Sequence, residues 1–201
     1  FFIIRAGTRR LHRCGPSAPS DVDKEQGLTE KIIAFCNHLV GHIRGGLALA
    51  NIAASMLFAG ISGTAISDTA SIGSVMIPAM KKEGYDAAFA CAVTASSSTV
   101  GPIIPPSVSM IIAATLTGLS VSKLFLAGAI PGFLLGVSLL GYTYYISQKR
   151  QYPKHERSSL RQIGRGFIDT FWALLMTVII LYGIIGGLFT PTEASIVAVL
   201  Y

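Results

Sequence analysis

Charge is scarce in this chain: 13% of its 201 residues are Asp, Glu, Lys or Arg, where a soluble domain carries about 25%. The few charges are clustered, and residues 45–67, 87–122, 124–148 and 170–192 hold none. Each stretch reaches the roughly 20 apolar residues that a membrane-spanning helix needs. Cysteine is also scarce. Cys14, Cys36 and Cys91 have neither CxxC nor other metal-ligand spacing, which excludes a disulfide framework and leaves three unrelated thiols. No GxSxG elbow is present and no histidine lies inside an apolar stretch near the serines, so no catalytic constellation forms and an enzyme is not expected. Residues 1–4 are too short for the apolar core of a signal peptide. A first residue other than Met and an end inside an apolar run read as a partial chain.

The net charge of +6 points to a lipid bilayer rather than nucleic acid. Its basic residues sit mainly in 1–13 and 149–165, beside hydrophobic segments, as in cytoplasmic loops that flank spans. The expected class is an all-α polytopic membrane protein.

Residues 1–26 are basic, then Pro/Ser-rich, then acidic, and are read as an atypical, disordered arm. Within 27–46, Thr29 is the expected N-cap of a helix whose apolar positions Ile32, Ile33, Phe35, Cys36, Leu39, Val40 and Ile43 follow helical spacing. Lys31, His38, His42 and Arg44 make it too polar to span, so an interfacial amphipathic helix is expected. His38 and His42 stand one turn apart but have no third ligand nearby.

Residues 47–80 carry two short apolar arms around a polar tip, 61–68. The first arm, about 14 residues or roughly 21 Å of helix, is shorter than a ~30 Å hydrocarbon core. This pattern describes a re-entrant helical hairpin, whose irregular tip must lie in protein or a wet cavity. Residues 87–122 have the opposite fault, at about 54 Å if continuous. Pro102, Pro105 and Pro106 remove backbone donors in the middle, so a discontinuous transmembrane helix is expected over 87–117.

Residues 123–147 read as an unbroken span, with Gly128, Gly132 and Gly136 making one face suited to close packing. Lys123 is expected to snorkel at its end. Residues 149–166 form a basic cytoplasmic linker with six Lys/Arg against Glu156. Residues 167–201 begin a second unit. They hold one span, with Trp172 and Tyr182 as anchors, and then the capping box Thr190-Pro191-Thr192-Glu193 opening another helix. With the linker inside, the hairpin enters and leaves from the cytoplasm.

A re-entrant hairpin beside a broken helix points to the binding site of a secondary transporter. Free carbonyls at helix C-termini and Ser/Thr hydroxyls suit Na⁺, and free N–H groups at N-termini suit a carboxylate. Two readings stay open at each candidate. Ser96, Ser97, Ser98 and Thr99 either ligate at the break or bond back to their own helix. Ser62, Gly63 and Thr64 either bind or merely turn the chain. Asp68 is most economically the N-cap of a helix over 69–80, and as a buried carboxylate it also helps balance a cation.

The run from Ser55 to Ala65 (SMLFAGISGTA), with Ile77-Pro78-Ala79-Met80, Thr94–Ser107 (TASSSTVGPIIPPS), Lys123–Gly132 (KLFLAGAIPG) and Phe189–Ala194 (FTPTEA), resembles the large membrane subunit of tripartite ATP-independent periplasmic (TRAP) transporters. The likeness covers about 27–201, and 1–26 fall outside it. It implies about half of an inverted-repeat, elevator-type carrier in the bacterial inner membrane. Its implied partners are a small membrane subunit and a periplasmic substrate-binding protein. It further implies Na⁺ as coupling ion and uptake of a C4-dicarboxylate, sialic acid or a similar small organic anion. Carried over by motif, the site comprises Ser62, Gly63 and Thr64 at the tip and Ser97, Ser98, Thr99, Gly101 and Pro105 at the break. The Na⁺ site is expected at Ser62, Ser98 and Gly101. The competing readings are an ion channel with the hairpin as filter and a carrier of the same superfamily that needs no binding protein.

Overall fold

In the computed structural model, residues 21–154 and 160–200 are described, and all their regular structure is helical. Eight helices follow in order: α1 Asp21–Val40, α2 Gly46–Ser62, α3 Ala65–Lys82, α4 Ala87–Ser98, α5 Val108–Thr117, α6 Val121–Lys149, α7 Leu160–Ile185 and α8 Pro191–Leu200. Residues 1–20 of the expected arm lie outside the described residues.

Helices α2 and α3 run antiparallel, with Asn51 near the start of one reaching Met80 near the end of the other. Their arms are longer than the apolar pattern suggested, 17 and 18 residues, or about 26 and 27 Å. The turn is correspondingly shorter. Gly63 adopts φ 61°, ψ 11° and closes α2 with its N–H on the Ala59 carbonyl. Thr64 is extended and α3 restarts at once at Ala65. Asp68 therefore sits inside the first turn of α3 and is not its N-cap, which corrects the capping assignment. A left-handed glycine reverses the chain in two residues, so no polar loop is needed there.

Helix α4 packs against both arms, and α1 lies across α2 and α7. Ile32, Phe35 and Cys36 of α1 join Ile52 and Phe58 of α2, Ile72, Met76 and Met80 of α3, and Val93 of α4 in one core. Thr29 is buried within α1, which starts eight residues earlier than the expected cap and ends at Val40 rather than Ile43. Burial pushes the Cys36 thiol up to about 12, so it stays protonated and inert. Among the described residues no group of three metal-ligating side chains forms, around His38 and His42 or elsewhere.

The chain breaks between α4 and α5. Asp86 caps α4 by accepting from the Ala88 N–H, and Ser107 caps α5 by accepting from Met110 N–H. Among the described residues, α6 is the one straight helix long and apolar enough to cross a membrane. Helix α7 meets the same test only with a 42° bend near Trp172. It starts at Leu160, so part of the segment read as a basic linker is helical. The capping box forms as its residues dictate: Thr190 N–H donates to Glu193 Oε2 at 2.7 Å and Glu193 N–H to Thr190 Oγ1 at 3.3 Å.

The glycine face of α6 turns inward. A Cβ on Gly128 or Gly136 would strike Met110 or Met56, and one on Gly132 would lie 2.9 Å from Ile104 and 3.2 Å from Ile103. The small residues thus seat α6 against the break and α2, and close packing replaces the hydrophobic drive that lipid cannot supply. Gly132→Leu overpacks this contact, which costs about 1–3 kcal/mol. The expected readout is a lower melting temperature of the full-length subunit in detergent, and an unchanged melting curve would show that the face packs elsewhere.

Candidate functional site

Polar side chains line a buried seam where α2, α3 and α4 meet. Asn51 and Ser55 are one turn apart on α2, and Ser62 returns to the same face eleven residues after Asn51. Thr94 and Ser97 face them from α4, where Ser98 is buried as well. Asn51 Nδ2 donates to Thr94 Oγ1 at 2.7 Å, and Ser55 and Ser97 hydroxyls lie 2.8 Å apart. All five of Asn51, Ser55, Thr94, Ser97 and Ser98 are fully buried. Each contact joins the hairpin to the broken helix, so the two elements are held in register by hydrogen bonds as well as packing. Asn51, Ser55 and the partner role of Thr94 were missed by motif reading. Their signal was available as polar residues at helical spacing in otherwise apolar runs.

Above this seam the hairpin tip meets the break. Ser62 Oγ donates to Asp68 Oδ1 across the turn, and Thr64 N–H donates to Ser62 Oγ at 3.3 Å. The Asp68 side chain is completely buried, and its Oδ2 has no hydrogen-bond partner in the protein. That oxygen points at Gly101, where a Cβ would lie 2.6 Å from it. The Ser98 carbonyl, which accepts from Gly101 N–H at 3.1 Å, would lie 3.2 Å from the same Cβ. Gly101 thus admits a carboxylate oxygen and a helix-terminal carbonyl to one place. Gly63 plays the matching part at the tip: a Cβ there would lie 3.0 Å from Pro106 O and 3.1 Å from Val108 N.

Of the expected site residues, Ser62, Gly63, Asp68, Ser98 and Gly101 converge, and Thr64 is half-buried beside them. Ser97 is turned into the seam, donating to Thr94 O at 3.1 Å. Ser98 Oγ also donates to Thr94 O, at 2.8 Å, so its proton goes to its own helix while its carbonyl faces Gly101. Thr99 is exposed, with Oγ1 donating to Ser96 O at 2.7 Å. Its hydroxyl bonds back locally and points away from the cluster. Pro105 is buried within the break. Ser107 Oγ donates to Pro102 O at 2.7 Å, tying the two ends of the break together.

Beside the tip lies a cavity of about 260 Å³ lined by Ser62, Gly63, Ser107, Val108, Ile180 and Ile184, among others. The start of α5 borders it, and Ser107 is fully buried. The N-terminal amides of this half-helix therefore lie close to the hairpin tip.

Residues 21–201 match the family model described as tripartite ATP-independent periplasmic transporter, DctM component. The chain is 43% identical over 175 residues to the sialic acid TRAP transporter permease protein SiaT of Haemophilus influenzae, covering 87% of this chain and 28% of that protein. It is 44% identical to the C4-dicarboxylate TRAP transporter large permease protein DctM of Pseudomonas aeruginosa, covering 87% and 41%. It is 38% identical to the 2,3-diketo-L-gulonate TRAP transporter large permease protein YiaN of Escherichia coli, again covering 87% and 41%. The chain thus spans less than half the length of these relatives, all of them transporter permeases and none an enzyme. With the match running through hairpin, break and second unit alike, the chain belongs to the DctM family of TRAP transporter large permeases.

Proposed function

We propose that this chain is part of an inner-membrane permease that takes up a small organic anion, a C4-dicarboxylate, a sialic acid or a similar acid, driven by Na⁺. The observation that carries the reading is the buried Asp68 carboxylate between tip and break, whose Oδ2 has no donor within the protein. A carboxylate removed from water in this way calls for a cation. Oxygen ligands surround it: the Ser62 hydroxyl and the Ser98 carbonyl, with Gly101 leaving the space. Such hard donors suit Na⁺, whereas thiol or imidazole would favour transition metals. Thr64 and the backbone around Gly63 belong to the same tip.

The substrate carboxylate is assigned to the cavity beside the tip, where the N-terminus of α5 offers amides and a favourable dipole. Na⁺ between tip and break would hold Gly63 against Pro106 and so shape that wall, which couples the two sites through one joint. In this reading α2 to α6 move together as the carrier part of an elevator, and α2–α3 are a re-entrant hairpin entered from the cytoplasm. A small membrane subunit and a periplasmic binding protein complete the transporter, in keeping with the tripartite periplasmic family to which the chain belongs.

The test is uptake by the full-length permease in proteoliposomes with both partner proteins supplied. Expected is substrate accumulation that saturates and collapses when the Na⁺ gradient is removed. Uptake indifferent to Na⁺, or unitary currents typical of a channel, would overturn the reading. The same assay on residues 1–201 alone is expected to give no uptake.

A further inference from the structure

Apart from the site just described, the most organised surface lies at the far end of α6. Residues 147–154 wrap around the start of the hairpin and of the broken helix. Arg150 pairs with Asp86 at 3.4 Å and lies 5.5 Å above the Phe89 ring. Tyr152 stacks on Tyr85 with ring centroids 4.3 Å apart. Gly45 N–H donates to Pro153 O at 3.1 Å, and Arg44 reaches Gln151. Burial pushes the Tyr85 phenol up to about 12, so this stack stays neutral. The clasp brings Lys81 and Lys82, one turn from Tyr85, to the same corner as Lys149 and Lys154, and all four are exposed. Among the described residues of this corner the acids are Glu83 and Asp86, the latter paired with Arg150.

The face of α6 leading to this corner is graded. Leu126, Ile130 and Phe133 are 57%, 70% and 59% exposed, on the side opposite the packed glycines. From Lys123 to Tyr142 the helix covers about 29 Å, the thickness of a hydrocarbon core. Tyr142 and Tyr145, each 65% exposed, come next, and Lys149 follows about 10 Å beyond Tyr142. Apolar, then amphipathic aromatic, then cationic is the order of surfaces across one leaflet of a bilayer. A zwitterionic surface would not call for the excess of cations gathered by the clasp, whereas an anionic one would.

We propose that the outer face of α6 and the lysine corner at its end bind anionic phospholipid of the cytoplasmic leaflet, acyl chains along Leu126, Ile130 and Phe133 and phosphate at Lys149, Lys154, Lys81 and Lys82. The proposal rests on the membrane reading above and adds the headgroup class. Because the corner is fastened to the first turns of α2 and α4, the bound headgroup sits on the same rigid piece as the sodium joint.

Native mass spectrometry of the full-length subunit with its small membrane partner, released from vesicles of equal phosphatidylglycerol and phosphatidylcholine, tests this. Expected is preferential retention of phosphatidylglycerol that falls at least about tenfold in Lys149→Gln/Lys154→Gln, since each lysine near a charged surface contributes about 1 kcal/mol. Equal retention of the two lipids, or a preference untouched by the substitution, would overturn the headgroup assignment while leaving the membrane reading in place. Retention of neither lipid would count against both. In the second arm a photo-crosslinking side chain replaces Phe133 in the same complex. Capture of lipid is expected, and capture of the small subunit would show that a protein covers this face.

Discussion

Asp68→Asn in the full-length permease raises the Na⁺ concentration for half-maximal uptake at least about a hundredfold. A unit charge a few ångströms from a cation is worth several kcal/mol even at an effective dielectric of ~20, and about 2.7 kcal/mol already gives a hundredfold. The substitution is nearly isosteric, and the Ser62 hydroxyl can still donate to the amide oxygen, so the fold around the tip is retained. Thermal stability without Na⁺ should be unchanged or higher, because an uncompensated buried carboxylate has been removed. Added Na⁺ should then stabilise the wild type and not the variant, as ligand linkage requires. A wild-type sodium curve for Asp68→Asn would remove this carboxylate from ion coupling. Ser98→Ala is the informative contrast. Its hydroxyl already donates to Thr94 O, and the carbonyl that faces Gly101 survives the change, so its effect should be much the smaller of the two.

Gly63→Ala and Gly101→Ala are expected to fail in different ways, although each adds one methyl group. At Gly63 the backbone is left-handed, at φ 61°, which costs an L side chain roughly 1–2 kcal/mol. The new Cβ also meets Pro106 O at 3.0 Å and Val108 N at 3.1 Å, both backbone atoms of the break. Neither can swing aside, so the tip must lift from α5. The expected result is a clear fall in melting temperature together with loss of uptake. At Gly101 the backbone is not left-handed, and the nearest obstacle is Asp68 Oδ2 at 2.6 Å. A carboxylate end can rotate, so the fold should persist with a small change in melting temperature. Its displacement, however, breaks the hydrogen bond from Ser62 and withdraws the charge, and the sodium curve should shift nearly as far as for Asp68→Asn. Equal melting losses in the two variants, with no separate effect on sodium dependence, would mean that Gly101 is only a packing residue.

The primary sequence by itself determined the helical character of the apolar segments and where the long helix must break. Pro102, Pro105 and Pro106 withhold donors and crowd the preceding carbonyls wherever they are placed, and the capping box at Thr190 and Glu193 closes on itself through local atoms. The glycine spacing on α6 likewise exposed a packing face, because helical periodicity puts residues four apart on one side. Local rules went astray where a helix end depended on its neighbours. Asp68 looked like a cap because Asp caps helices well and polar residues precede it, yet the turn at Gly63 had already reversed the chain. Thr29 looked like a start because the apolar stripe begins there, although α1 begins at Asp21.

Only the tertiary structure decided which of the many hydroxyls and carbonyls share a place. Ser97, Ser98 and Thr99 are equivalent in sequence, but successive residues on a helix differ by about 100° in direction. One therefore enters the seam, one presents its carbonyl to Gly101, and one faces outward. The burial of Asp68 and the empty hydrogen-bonding capacity of its Oδ2 arise from contact between residues more than thirty positions apart. No local pattern encodes such a contact, because it depends on how the hairpin leans against the break.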